Sequence, residues 1–239
     1  SKQQEKLNTY PYRQVVGSVL YLSVYTRPDI TYTVAKLAQF NNKPTLAAIA
    51  ACNRLLQYLL ATRDLGLNYY KNINPKINTY VDSNLGGCLT SGKSTTGYII
   101  YLGTCPIYWN SHLGESGVSI STACAEYMAA SSSARQTMSI RNLAEEVKLI
   151  DISKPIPIYE DNTSCMTIAL QLASKQKNKY IPTKIHYIRE TCAVRYTMLM
   201  KISTQLQTAD ALTKPLGKIL FKQHRPYLLG HTIGQYESG

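Results

Sequence analysis

Apolar positions over the first 65 residues recur at helical spacing. Val15, Val16, Val19, Leu20, Leu22 and Val24 form one apolar segment. A second helix is expected from "RPDI", Arg27 to Ile30, where Pro28 suits a first-turn position. It carries Val34, Leu37, Ala38 and Phe40 on one side. A third, after "KPT", carries Ala48, Cys52, Leu55, Leu56, Leu59 and Leu60, with Gly66 as its stop. The pattern then changes to alternation. "LGLNYY" and "INTYVD" read as strands, and "TGYIIYLGTCPIYWN" as two strands around a turn at Gly103–Thr104. From Ser121 to about Leu149 the spacing is helical, with Tyr127, Ala130, Ala134, Met138, Leu143 and Val147 on one side. "PIPIYED" reads as a strand, Asn162 to Leu172 as a helix, "KIHYIRETCAV" as a helix and "TMLMKIS" as a strand. "TADALTKPL" reads as a closing helix capped by Thr208.

This order predicts a small helical segment over residues 1–70, a mixed α/β sheet covered by helices over 71–216, and a C-terminal tail over 217–239. The formal net charge of +12 over 239 residues adds a partner class, because a basic surface attracts polyanions, nucleic acid above all. No apolar run is long enough to span a membrane, so no membrane association is expected. The polar start "SKQQEKLNTY" lacks the apolar core of a signal peptide. Six scattered cysteines without C-x-x-C spacing read as free thiols of an intracellular protein, with no zinc site.

Only 14 acidic residues occur, which gives each placement weight. Asp82 and Asp161 each end a predicted strand. If those strands lie parallel and adjacent, both carboxylates emerge at one sheet edge, where open α/β sheets gather their ligand sites. Glu126 falls in the first turn of the long helix, followed by the small Ala129 and Ala130 that allow close approach to the sheet. Asp210 falls in the first turn of the last helix. Singly, each has a structural reading, as a helix-dipole partner or a turn former. Together at one edge they would repel and raise their own pKa values unless something positive lay between them. Oxygen-only ligands favour Mg²⁺ or Mn²⁺. Two such ions about 4 Å apart are the usual apparatus for in-line attack of water on a phosphodiester. With the basic surface, this suggests a nuclease.

The motifs support a resemblance. "YRQVVGSVLYLSVYTRPDITYTVAKLAQF" and "LLQYLLATRDLGLNYY" are similar to the helical region that follows the polymerase palm in the Pol polyprotein of Ty1/copia-type LTR retrotransposons. "TYVDSNLGGCLTSGKSTTGYIIYLGTCPIYWNS", "STACAEYMA", "YEDNTSCMTIA" and "TADALTKPL" resemble the RNase H domain of that family in unbroken order. The resemblance covers nearly the whole chain. It implies an RNase H-like mixed five-stranded sheet flanked by helices, preceded by a small helical subdomain of thumb or connection type. It also implies an Asp–Glu–Asp–Asp set of metal ligands at Asp82, Glu126, Asp161 and Asp210, holding two Mg²⁺ or Mn²⁺ ions. The implied substrate is an RNA–DNA hybrid, with Lys175, Lys177, Lys179 and Lys184 as candidates for its backbone. Further implied partners are the rest of a Pol polyprotein or a host assembly, and the implied site of action is a cytoplasmic virus-like particle or the nucleus.

The chain also departs from the family pattern. Asn84 and Leu85 stand where the family usually has a second acid and a tryptophan, Cys124 where a glutamate commonly precedes A-E-Y, Thr163 in place of a glutamine, and Pro182 in place of an acid. These changes carry the alternative expectation, a domesticated and catalytically inactive module that binds nucleic acid or protein in a larger assembly. An integrase-type strand transferase fits less well, because its glutamate comes last of the acids and Glu126 here comes second. Neither "YVDS" nor "YEDN" supplies the adjacent aspartates of a polymerase Y-x-D-D turn. His186, in "KIHYIRE", reads as a packing or hydrogen-bonding residue.

Overall fold

The structure, a computed structural model, describes residues 9–70, 75–88, 91–114, 121–151, 153–170 and 187–231. Its first part is a bundle of α1 (Tyr12–Tyr25), a 3₁₀ turn at Pro28–Ile30, α2 (Thr31–Ala38) and α3 (Leu46–Ala61). Thr45 caps α3 by accepting the Ala48 N–H. The helix ends at Ala61, so Gly66 lies beyond its stop. Val16, Val19, Val34, Leu37, Ile49, Cys52 and Leu55 fill the bundle core, whereas Leu20, Leu22, Val24 and Leu60 of the expected apolar faces are exposed. A buried ion pair ties the bundle: Arg27 grips Asp29 through two 2.8 Å hydrogen bonds, and the Tyr58 hydroxyl donates to the same carboxylate at 2.6 Å.

The second part is a five-stranded sheet of order β3-β2-β1-β4-β5: β1 (Ile77–Asn84), β2 (Thr95–Leu102), β3 (Cys105–Leu113), β4 (Ile156–Glu160) and β5 (Thr197–Lys201). β1, β2 and β3 pair antiparallel, and β1, β4 and β5 pair parallel. The β2–β3 hairpin turns at Gly103, whose φ of 61° suits glycine. "LGLNYY" forms no strand. It runs beside the C-terminal helix, with the Asn68 N–H bonded to Leu229 O at 2.9 Å. β2 is buried on both faces rather than alternating. Tyr98 and Ile100 pack in the main core, while Ile99 and Tyr101 pack against Ala211, Leu212 and Leu228.

One face of the sheet is covered by α4 (Thr122–Glu146), α5 (Thr163–Leu170) and α6 (Tyr187–Ala193). Ser121 caps α4. Tyr127, Ala130, Ala134 and Met138 are buried as the spacing predicts, but Leu143 and Val147 point outward because the stripe continues through Arg141 and Ala144. The opposite face carries a 3₁₀ helix (Thr208–Leu212) and α7 (Lys218–Leu228). The "TADALTKPL" element is therefore a tight 3₁₀ turn capped by Gln207 rather than an α-helix capped by Thr208. Residues 217–239, set apart as a tail, include the 11 residues of α7.

This is the RNase H-like mixed five-stranded sheet, flanked by helices and preceded by a small helical subdomain. The two parts touch. Trp109 on β3 donates its indole N–H to Ser23 O at 2.6 Å, and Lys36 on α2 reaches Gly87 O and Thr95 Oγ1, each at 3.2 Å. None of the six cysteines forms a disulfide. Among the described residues, no helix is long and apolar enough to cross a membrane.

Breaking the bundle's ion pair leaves a buried charge without compensation. Asp29→Ala is expected to destabilise the chain by about 3–5 kcal/mol, read from urea unfolding. A loss below about 1 kcal/mol would show that Arg27 finds another partner.

Candidate metal centre

The parallel pairing of β1 with β4 builds the site. Thr79 and Tyr80 lie opposite Ile158 and Tyr159, and the same register, carried two residues further, brings Asp161 level with Asp82. Asp82 is the sixth of the eight residues of β1, and Asp161 directly follows β4. Glu126 arrives from the opposite direction on α4. It is the fifth residue of that helix, one turn further in than the sequence pattern suggests, so a first-turn dipole role does not explain it. Ala129 and Ala130 are fully buried and let α4 lie close to the sheet. The result is a compact acid group: ligand oxygens of Asp82, Glu126 and Asp161 all lie within 4.8 Å of one another.

Asp210 is not in that group of three. It is the third residue of the Thr208–Leu212 helix and is buried, and its Oδ1 lies 2.9 Å from the Lys214 ammonium. Lys214 also lies 3.9 Å from Asp82 Oδ2, which links the fourth acid to the other three through a cation. The Thr213 hydroxyl donates to Asp82. Gln207, fully buried, donates its amide to Val81 O at 2.9 Å and to Tyr159 O at 3.3 Å, fastening the ends of β1 and β4 together. Gly97, opposite Asp82 on β2, leaves room for this turn; a Cβ there would sit 2.6 Å from Thr213 Cγ2 and 2.7 Å from Leu212 Cβ.

Crowding acids in a dry site shifts their protonation. Burial, then Glu160, Asp82 and Asp161, push Glu126 up to about 11. Burial and then Asp82 raise Asp210 to about 7, with Lys214 pulling the other way. Asp82 is also raised by burial, against the opposing pull of Lys214 and Thr213. For Lys214, burial alone would lower the pKa, and Asp82, Asp210 and Asp161 together outweigh it to give a net rise. Asp161 is half-buried and accepts a 2.8 Å hydrogen bond from Thr204.

Four residues at the site escape the pattern that found the acids. Glu160 is fully buried at the end of β4 and is held well above the usual carboxylate range, chiefly by burial. It stands beside Asp161 in "YED", and strand alternation alone sends it to the α4 side. Thr213 and Lys214 follow Asp210 by three and four positions within "TADALTKPL". Gln207 gives no sequence signal of its own. Of the departures, Asn84 donates to Thr213 O at 3.5 Å and so adjoins the site, and Cys124 is a free thiol two residues before Glu126. Lys175, Lys177, Lys179, Lys184, Pro182 and His186 lie outside the described residues.

The donor set suits a hard divalent cation. Glu126 Oε2 is buried and has no hydrogen-bond partner among the described residues, a costly state for a carboxyl oxygen that a bound cation would relieve. Carboxylate oxygens without thiolate or imidazole select Mg²⁺ or Mn²⁺ over zinc.

No family model matches the chain. Among solved structures it is similar to that of LC11-RNase H1 in complex with an RNA/DNA hybrid, with a TM-score of 0.42 and 20% identity, covering 58% of this chain and 94% of that one. It is 30% identical over 212 residues to the retrovirus-related Pol polyprotein from transposon TNT 1-94 of Nicotiana tabacum, covering 89% of this chain and 16% of that polyprotein. It is 35% identical over 211 residues to the corresponding polyprotein from transposon RE1 of Arabidopsis thaliana, covering 88% of this chain. The chain spans only 14% of the RE1 polyprotein's length. With the motifs in family order on the expected sheet, this chain belongs to the Ty1/copia-type retrotransposon Pol polyproteins.

Proposed function

We propose that this chain is a ribonuclease H, an endonuclease that cleaves the RNA strand of RNA–DNA hybrids with the help of two Mg²⁺ or Mn²⁺ ions. The observation that supports the reading is the Asp82–Glu126–Asp161 cluster at the β1/β4 edge, where Glu126 Oε2 has no hydrogen-bond partner among the described residues. Bound ions would supply an activated water and neutralise charge on the leaving 3′ oxygen, giving a 5′ phosphate.

The chain's own residues set up that chemistry. The Thr213 hydroxyl donates to Asp82 and orients it within the acid group. Glu126 enters from α4 and Asp161 from the solvent side, so their oxygens face a shared space. Gln207 keeps the strand ends in register, holding the acids in place for the ions. Asp210 joins from the 3₁₀ turn. The net charge of +12 favours a polyanion, and Lys175, Lys177, Lys179 and Lys184 are the proposed contacts to its backbone. Preference for hybrid over DNA duplex would come from the 2′-hydroxyls and groove shape. The rest of a Pol polyprotein, or a host assembly, is the proposed protein partner.

Wild-type chain with Mg²⁺ should cut the RNA of a labelled hybrid, and Asp82→Asn should lower the rate by about 100-fold or more. An intact hybrid with wild-type protein would overturn the reading. Tight hybrid binding without cleavage, unaffected by Asp161→Asn, would identify a binding module instead.

The raised carboxylates also set the pH dependence of stability. Glu126 and Asp210 have folded pKa values above those of the unfolded chain, so the folded state binds more protons and stability falls as pH rises. Metal-free protein should therefore lose melting temperature from about pH 5 to pH 8, through the titration of Asp210 near 7. Mg²⁺ should restore it, more at pH 8 than at pH 5, by about 2.7 kcal/mol at 100 times its dissociation constant. Glu126→Gln, which cannot ionise in either state, should raise the metal-free melting temperature at pH 8 and lose most of the response to Mg²⁺. Calorimetry that finds a flat pH profile and no Mg²⁺ effect would remove the metal centre.

A further inference from the structure

Lys214 is anchored by backbone before its side chain begins. Its N–H donates to Asp210 O at 3.2 Å, and Pro215 follows it. The neighbouring Thr213 hydroxyl bonds Asp82 and also Asp210 O. Leu212 is fully buried, and β2 approaches so closely at Gly97 that a Cβ there would lie 2.6 Å from Thr213 Cγ2, 2.7 Å from Leu212 Cβ and 2.9 Å from the Leu212 carbonyl carbon. From this fixed root the side chain turns back into the acid group. Its ammonium stands 2.9 Å from Asp210 Oδ1 and 3.9 Å from Asp82 Oδ2, with 36% of the side chain exposed.

That position is occupied at a cost to any second ion. A Mg²⁺ shared by Asp82 and Asp210 needs an oxygen of each at about 2.0–2.1 Å. The ammonium already lies between those two carboxylates. It has donors but no lone pair, so it cannot join a metal's coordination shell, and its charge repels the ion. Among the described residues, Lys214 meets the Asp82–Glu126–Asp161 group only at Asp82, and neither Glu126 nor Asp161 forms an ion pair.

We infer, on the metal-site reading proposed above, that in the nucleic-acid-free protein Lys214 holds the place of the second cation. The free chain then binds one divalent ion, through Asp82, Glu126 and Asp161. A second enters between Asp82 and Asp210 only when the ammonium moves out. Lys214 acts through these carboxylates and is a positioning residue. Its charge and reach matter, so arginine should replace it and an uncharged chain of similar length should not.

The test counts Mn²⁺ bound to the full chain without nucleic acid, by electron paramagnetic resonance of the free ion and by calorimetry. One ion is expected for wild type and for Lys214→Arg, and two for Lys214→Met and Lys214→Gln. The extra ion should disappear when Asp210→Asn is added to Lys214→Met. Two ions on wild type, or one on folded neutral variants, would overturn the inference. If both neutral variants fail to fold by circular dichroism, the wild-type count still decides, since two ions there exclude a place held by Lys214. A wild type that binds no Mn²⁺ at all overturns the metal-site reading along with this one, and that result is distinct from a count of two.

Discussion

Like-charged carboxylates withdrawn from water at the end of a parallel strand pair are the constraint on which this protein is built. Asp82, Glu126, Glu160 and Asp210 are all buried, and Asp161 is half-buried beside them. Dry carboxylates repel and resist ionisation, so such a group persists only where the surrounding fold over-determines it. Here the fold does so through Gln207 across the ends of β1 and β4, the close helix contact at Ala129 and Ala130, and the 3₁₀ turn seated on Gly97. Among the described residues, Lys214 is the ammonium in contact with the group, and it offsets part of the charge.

The remaining architecture supports that edge from a distance. Thr95 lies opposite Asn84 in the β1–β2 ladder, and Lys36 of the helical bundle bonds Thr95 and Gly87, so the bundle reaches the rim of the site. Trp109 to Ser23 is a second link between the two parts. α7 closes the other face: Leu228 packs with Leu212, directly behind the turn that carries Asp210 and Thr213, and Leu229 bonds Asn68. The buried Arg27–Asp29–Tyr58 group gives the bundle a fixed internal geometry.

The family departures take on different meanings once placed in three dimensions. Asn84 bonds the backbone of Thr213, so it supports the turn that orients Asp82 even though it brings no carboxylate. Leu85 is exposed just beyond β1. Thr163 opens α5, where Asn162 accepts from the Ser164 and Cys165 N–H groups, so the local helix start is intact. None of these changes removes a member of the acid cluster.

Much of this was legible in the sequence because it rests on short-range rules. Helical spacing located α1 to α4, alternation located β1, β4 and β5, and turn residues located the β2–β3 hairpin. The ends of β1 and β4 marked Asp82 and Asp161, and Glu126 followed from the small residues after it. What the sequence left open depended on which element packs against which. The outward turn of Leu143 and Val147, the double burial of β2 and the absence of a strand at "LGLNYY" follow from tertiary partners, since periodicity specifies a face and not its neighbour. The same holds for chemistry. Residue order put Lys214 four positions from Asp210, but only the close approach of β2 to the 3₁₀ turn set its ammonium between two buried aspartates, because electrostatic energy depends on distance and dielectric, which packing decides.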